Sequence, residues 1–305
     1  GQAVTCEDFV QSMSDATGID LAQFRRWYSQ AGTPIVSARG EYDAGARTWT
    51  LEVSQHTEPT PGQSVKLPFH IPLAVGLVGP DGRDMPLQLE GEAAAGGTTR
   101  ILGVREPVQR FTFVNVAAKP VPSLSRGYSA PVRLEFSYSD DELTLLAVHD
   151  SDPVNRWDAA QRCYANAILA LAAAHRQGKP LILPPSLATL AGRLISDHAS
   201  DPALLALALT PPDAGYVAAL EHVIDVDGVT TAATFVVRAL AGAHREALEA
   251  LYVRHRPAAF YSPAQQQVGP RRLRNVALRY LCSLDDAPAR ARAVTQYDNA
   301  DNMTD

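Results

Sequence analysis

Eight histidines hold most of this chain's capacity for acid–base chemistry near neutral pH: His56, His70, His149, His175, His198, His222, His244 and His255. None is followed by glutamate, and no two stand four residues apart. The H-E-x-x-H zinc motif needs both features, because it sets two imidazoles and a general base on one helix face. It is absent here. Gly127-Tyr128-Ser129-Ala130 lacks the second glycine of a nucleophile elbow and the strand-to-helix setting that would expose its serine. Neither a G-x-G-x-x-G nor a G-x-x-x-x-G-K-[ST] loop is present to cradle phosphate.

Three clusters remain to be weighed. His149-Asp150-Ser151-Asp152 sets an imidazole beside two carboxylates, a set able to hold a metal or orient a catalytic base. The same residues read more simply as a polar loop whose Asp152 caps the next helix. Asp225-Val226-Asp227-Gly228 resembles the start of a calcium loop, but Val236 stands where the twelfth-position glutamate should be, so helix punctuation is the better reading. Arg271, Arg272, Arg274 and Arg279 form the densest basic patch. On a helix with Leu273, Val276 and Tyr280 inward, they read as a solvated face or as partners for nearby acids. Trp27 and Trp157 sit on apolar stripes and are expected in cores. No catalytic and no metal-ligating residue is assigned, and no substrate-binding residue is identified.

The 305 residues suggest two domains, perhaps with part of a third. A hydrophobic content of 46% with 20% charged residues supports sizeable cores and argues against disorder. The formal charge of −6 argues against nucleic-acid binding by counterion release. The longest apolar run, Ala167 to Ala174, is far below the roughly 20 residues that span a bilayer. Cys6, Cys163 and Cys282 form no C-x-x-C pair and read as reduced, mostly buried thiols, which with the missing leader places the chain in the cytoplasm.

Two helices are expected over residues 5–31, the first with a Phe9, Val10, Met13 stripe, the second with Leu21, Phe24, Trp27 and Tyr28. The period then changes to two: Trp49, Leu51 and Val53 alternate with polar residues, as do Val132, Leu134 and Phe136, and Phe111 with Phe113. Turn signals at Asp43-Ala44-Gly45, Pro59 to Gly62, Pro80-Asp81-Gly82 and Gly96-Gly97 separate the runs. About seven short antiparallel strands at this spacing predict an immunoglobulin- or fibronectin-like β-sandwich. Past residue 139 the strands stop. Asp152-Pro153, Asp201-Pro202, Thr210-Pro211 and Asp225 to Asp227 punctuate some six to eight helices in an irregular, solenoid-like array. Asn302 to Asp305 reads as a helix start with no helix after it, which predicts a piece of something longer.

At Phe24 to Val36, with Trp27, Gly32 and Pro34 spaced as W-x-x-x-x-G-x-P, the chain resembles the zinc aminopeptidase N family in its bacterial alanyl-aminopeptidase form. Further segments that carry the likeness are Pro59 to Gln63, His70 to Leu77, Pro120 to Leu124, Tyr128 to Val132, Arg156 to Gln161, Leu273-Arg274-Asn275 and Asn302 to Asp305. The resemblance implies a parent that removes N-terminal residues from peptides. It implies zinc held by two histidines and a glutamate, with a second glutamate, a tyrosine and a G-A-M-E-N segment in the site. All of those would lie before Gly1, so none is carried onto a residue here and the chain holds no cofactor of its own. The domains expected are then 1–32 as the end of the catalytic domain, 33–138 as the sandwich and 139–305 as the first part of a helical domain. The expected role is a spacer and chamber wall, inactive alone, with the parent's other segments as partners and peptides as its substrates. Two rivals stand beside it: a free-standing peptide or protein interaction module, and a small hydrolase using His149 with Asp150 or Asp152.

Overall fold

The computed structural model describes residues 3–257 and 261–305. The chain divides into two compact units, Gly1–Tyr138 with Asp150–Asn155, and Ser139–His149 with Arg156–Asp305.

The first unit opens on helix α1 (Cys6–Thr17). The Thr5 hydroxyl accepts from the Asp8 N–H at 3.2 Å while the Asp8 carboxylate accepts from the Thr5 N–H at 2.9 Å, a reciprocal cap that satisfies two orphan amides. Gly18, at φ +70°, ends the helix in the left-handed region that suits glycine. Of the expected stripe only Val10 is buried; Phe9 and Met13 are exposed. The second expected helix is also shorter than its pattern, a single turn α2 (Arg26–Ser29). Tertiary contacts explain the loss: Gln23 Nε2 donates to the carbonyls of Pro68 and Arg105, and Arg26 donates to Pro68. Trp27 is half-buried, its Nε1 donating to the His70 carbonyl at 2.9 Å and its ring 4.3 Å from that of Phe69.

Seven strands follow: β1 (Ile35–Asp43), β2 (Thr48–His56), β3 (Ile71–Val78), β4 (Arg100–Val104), β5 (Val108–Phe113), β6 (Val121–Leu124) and β7 (Arg133–Glu135). They form a four-stranded sheet in the order β5-β2-β1-β7 and a three-stranded sheet in the order β4-β3-β6. β1 and β2 make a hairpin with Tyr42 opposite Trp49, and the Asp43 carboxylate closes its turn by accepting from Gly45 and Ala46. Along β2 the inward residues Trp49, Leu51, Val53 and Gln55 are buried in strict alternation, as a sheet with one core face requires. They join Phe69, Ile71, Leu73, Leu77 and Phe113 in one core. Each such large side chain contributes about 1.5–3 kcal/mol on burial. Gln55 is the polar member, and it is satisfied, donating to the Phe69 carbonyl at 2.9 Å and accepting from its N–H at 2.7 Å. One strand departs from the expected antiparallel pattern: β7 pairs with β1 in parallel.

The second unit is helical. Its elements are α3 (Asp140–His149), α4 (Pro153–Arg176), α5 (Pro185–Ser196), α6 (Pro202–Ala208), α7 (Ala214–Ala218), α8 (Val226–Ala243), α9 (Arg245–Arg254), α10 (Gln265–Cys282) and α11 (Ala287–Asp298). The first three residues of α4 cluster with the sandwich unit. Among the described residues there are thus nine helices where six to eight are expected. The excess comes from short α6 and α7 and from a break at His244, whose φ of −121° interrupts what would be one long helix. Aspartates start five of them: Asp152, Asp201, Asp213, Asp225 and Asp286 each accept from an amide in the first turn. Ala160, Tyr164, Ala167, Ile168 and Leu171 form the buried stripe of α4, as their spacing predicts, whereas Trp157 at its start is only half-buried.

Candidate functional site

The densest constellation of charged side chains in the first unit is built on Arg126, in a 3-10 turn (Arg126–Tyr128) just after β6. Its guanidinium faces Asp84 as a fork, Nη1 to Oδ2 at 3.0 Å and Nη2 to Oδ1 at 2.8 Å. Nη2 also donates to Asp150 Oδ1 at 3.0 Å, Nε to Ser123 Oγ at 2.8 Å, and Nη1 to Thr99 Oγ1 at 2.9 Å and the Thr98 carbonyl at 3.2 Å. Ser151 Oγ donates to Asp84 Oδ2 at 2.5 Å, and the Asp152 N–H donates to Asp150 Oδ1 at 2.9 Å. Arg126 is 5% exposed and the Asp150 side chain fully covered. Gly76 on β3 makes the room, since a Cβ there would overlap the guanidinium.

The electrostatics follow from that geometry. Burial alone would raise the Asp84 pKa, but hydrogen bonds from Arg126 and Ser151 outweigh it and hold it below the ordinary value. Burial likewise opposes the charge on Arg126, yet the bonds and charges of Asp84 and Asp150 keep it more firmly protonated. For Asp150 burial prevails and its carboxyl is pushed upward, with Oδ2 left without a hydrogen bond. Every edge of the guanidinium is therefore used inside the protein. Such a cluster can fasten the Asp150–Asn155 segment to the sandwich; it presents no free donor and no activated nucleophile to a substrate.

This settles where the sequence's clusters go. Asp150 and Ser151 join Arg126 and Asp84, and Asp152 accepts from the Asn155 N–H at 2.9 Å. His149 ends α3 with an exposed ring, its pKa lowered by partial burial and by the charges of Arg193 and Arg156. Asp225 caps α8 through the Gly228 N–H at 2.9 Å and takes Arg176 at 3.1 Å, while Val236 is fully buried. The basic patch is not one solvated face. Arg272 and Arg279 are exposed, but Arg271 and Arg274 are 7% and 8% exposed and lie over the rings of Tyr261 and Tyr252. Arg126 and Asp84, the centre of this cluster, carry no signal in spacing; apart from Ser123, their side-chain partners are 24 to 67 residues away.

The zinc implied by the resemblance does not fit these residues. Among the described residues no three of His, Cys, Asp and Glu gather as a metal site. His244 Nε2 donates to the Ala188 carbonyl at 2.8 Å, His56 faces Glu58 at 3.4 Å, and His198 lies against Arg254. No helix of the described residues is long and apolar enough to cross a membrane.

Comparison places the chain among known proteins. It is 39% identical over 305 residues to aminopeptidase N of Escherichia coli K12, covering 100% of this chain and 34% of that protein. Aminopeptidase N of Haemophilus influenzae is 35% identical and that of Caulobacter vibrioides 34%, with the same coverage. The chain thus spans about a third, 34%, of the length of these relatives. Among solved structures, Legionella pneumophila aminopeptidase A in complex with aspartic acid superposes with a TM-score of 0.81 at 26% identity, over 99% of this chain and 34% of that one. The chain is therefore homologous, along its whole described length, to one portion of bacterial aminopeptidase N. Family models divide it as the units do in kind: residues 32–137 match a domain of unknown function with an Ig-like fold, DUF3458. Residues 140–305, more than half of the chain, match the domain of unknown function with ARM repeats, DUF3458_C, and to that family the chain belongs.

Proposed function

We propose that this chain is the non-catalytic sandwich and helical portion of a zinc-dependent aminopeptidase N that removes N-terminal amino acids from peptides in the cytoplasm. Residues 1–32 are then the end of the catalytic domain, 33–138 the spacer, and 139–305 the part of the helical domain that walls the reaction chamber. Enclosure of this kind limits entry to peptides and keeps bulk water from the charges that develop during hydrolysis. The observation that carries the reading is the match of all 305 residues to 34% of a protein named aminopeptidase N. The donor sets support it: Asp84 and Asp150 of the first unit are committed to Arg126, His244 bonds to a carbonyl, and His149 faces the charges of Arg193 and Arg156. No step of peptide hydrolysis is assigned to these residues. The purified chain, soaked with zinc and dialysed, is expected to hold no stoichiometric metal and to leave an aminoacyl reporter intact. Equimolar tight zinc, or cleavage with contaminating peptidase excluded, overturns the reading.

A further inference from the structure

Within the Arg126 cluster, Asp150 has the geometry of a neutral acid and not of a fixed negative charge. Its side chain is fully covered, whereas that of Asp84 is 12% exposed. Its donors reach one oxygen only: Arg126 Nη2 at 3.0 Å and the Asp152 N–H at 2.9 Å both go to Oδ1, and Oδ2 is buried with no hydrogen bond. Asp84 is the opposite case. Each of its oxygens takes a guanidinium N–H, and Oδ2 takes the Ser151 hydroxyl as well. A carboxylate divides its charge over two oxygens, so a buried one needs donors on both. A neutral carboxyl needs them only on its carbonyl oxygen, and the orphan Oδ2 is then an uncharged hydroxyl.

The surrounding charges agree. Arg126 feels three acids, Asp84, Asp150 and Asp152, and Asp84 already takes its guanidinium as a fork. The charged groups that face Asp150 are Arg126 from the 3-10 turn and Asp84 from the loop after β3. Ser123 on β6, with Thr98 and Thr99 before β4, lines the same space and carries no charge. Asp152 accepts from the Asn155 N–H, and His149 is exposed and faces Arg193 and Arg156. Burial, helped by the charge of Asp84, holds the Asp150 carboxyl above its ordinary value against the pull of Ser123, the Asp152 amide and Arg126.

We propose that the Asp150 end of segment 150–155 is a proton-dependent clasp: with Asp150 neutral, Arg126 serves a single carboxylate and the segment is held, and opening the segment releases that proton to water. The other end does not titrate, since Asn155 Nδ2 donates to Ser123 Oγ at 2.8 Å and to the Leu124 carbonyl at 3.0 Å. Every group of the clasp belongs to the first unit, and the inference goes beyond the proposed function without depending on it. Linkage sets the direction. The open segment ionises near 3.8 and the closed one higher, so opening becomes easier as the pH rises between those two values, about tenfold per pH unit, and levels off above them. Asp84 acts in the opposite direction and only below 3.8, because its folded value is lowered.

Hydrogen exchange of the Asp152 N–H in the 305-residue chain, expressed as a protection factor from pH 4 to pH 8, tests the clasp, because breaking its bond to Oδ1 also solvates Asp150. Protection should fall by about tenfold or more as the pH rises and then level off, with no matching step in the amides of β2. Asp150→Asn, which resembles the neutral acid in shape and charge, should remove the step and be at least as protected as wild type at pH 8. A wild-type profile that is flat or rises with pH overturns the proposal. So does an Asp150→Asn variant that keeps the step, or one less protected than wild type at pH 8. If that variant does not fold, the resonance of the Asp150 carboxyl carbon in the wild-type chain decides: a midpoint above the ordinary carboxylate value supports the clasp, and one at or below it ends it.

Discussion

Arg126 shows what a single buried charge demands of its surroundings. With its side chain 4% exposed, it faces Asp84 and Asp150, themselves 12% and 0% exposed. Replacing it by leucine leaves both acids without a cation, and urea unfolding should register a loss of about 3–5 kcal/mol, the usual cost of breaking a buried pair from one side. Gly76→Ala reaches the same residue from the other direction. The added methyl would overlap the guanidinium, and the expected loss is about 1–3 kcal/mol, typical of overpacking. The two changes act on one interaction, so the double variant should lose less than the sum. An additive double variant would show that Gly76 matters for some other reason. At this scale the sequence was only half readable. His149-Asp150-Ser151-Asp152 marks itself by composition, but what makes the cluster is the Arg126 fork, and nothing local in the chain joins Arg126 to Asp84 across 42 residues. For Arg271 and Arg274, read as a solvated face or as partners for nearby acids, the second reading holds for Arg271, which pairs with Asp305; the tyrosines that cover both lie outside their own helix and leave no local signal.

Among the elements, those that carry their own signal were legible and those made by distant pairing were not. Alternation in β2 and the apolar stripe of α4 follow from one-sided burial, and Asp-Pro punctuation marks the starts of α4 and α6. By contrast β7 is three residues long, and its parallel pairing with β1, Ile35 opposite Arg133, is invisible to any window on the sequence. The loop after α5 allows a prediction. Asp197 is partly desolvated, which would raise its pKa, yet Ser200, the Ala199 amide and Arg156 together lower it to about 2. A folded pKa below the unfolded value near 3.8 means that its contribution is complete above that value and lost as the pH falls toward 2. The side chain keeps 21% of its surface in solvent, so the contribution is on the order of 1 kcal/mol after screening. Asp197→Asn should therefore lower the urea midpoint at pH 6 and converge on wild type near pH 2. A constant difference across that window would remove Asp197 as the source.

Across the whole molecule, the three cysteines report on burial at well-separated points. They were expected to be mostly buried, and the fold separates them: Cys6 on α1 is exposed, Cys282 at the end of α10 is half-buried, and Cys163 in the stripe of α4 is 8% exposed. Burial pushes the Cys163 thiol up to about 12, with the charge of Asp140 adding to the effect, so its thiolate is scarce at neutral pH even when reagent can approach. Burial also raises Cys282, though its sulfur is less enclosed. A thiol reagent at pH 8 should then label Cys6 at once and Cys282 slowly. Cys163 should react only at the rate at which the helical unit opens, and a low concentration of urea should speed that last phase alone. Cys6→Ser should remove the fast phase and leave the others unchanged. If Cys163 instead reacted as fast as Cys6, the packing of α4 that buries its stripe between Ala160 and Ala167 would be wrong.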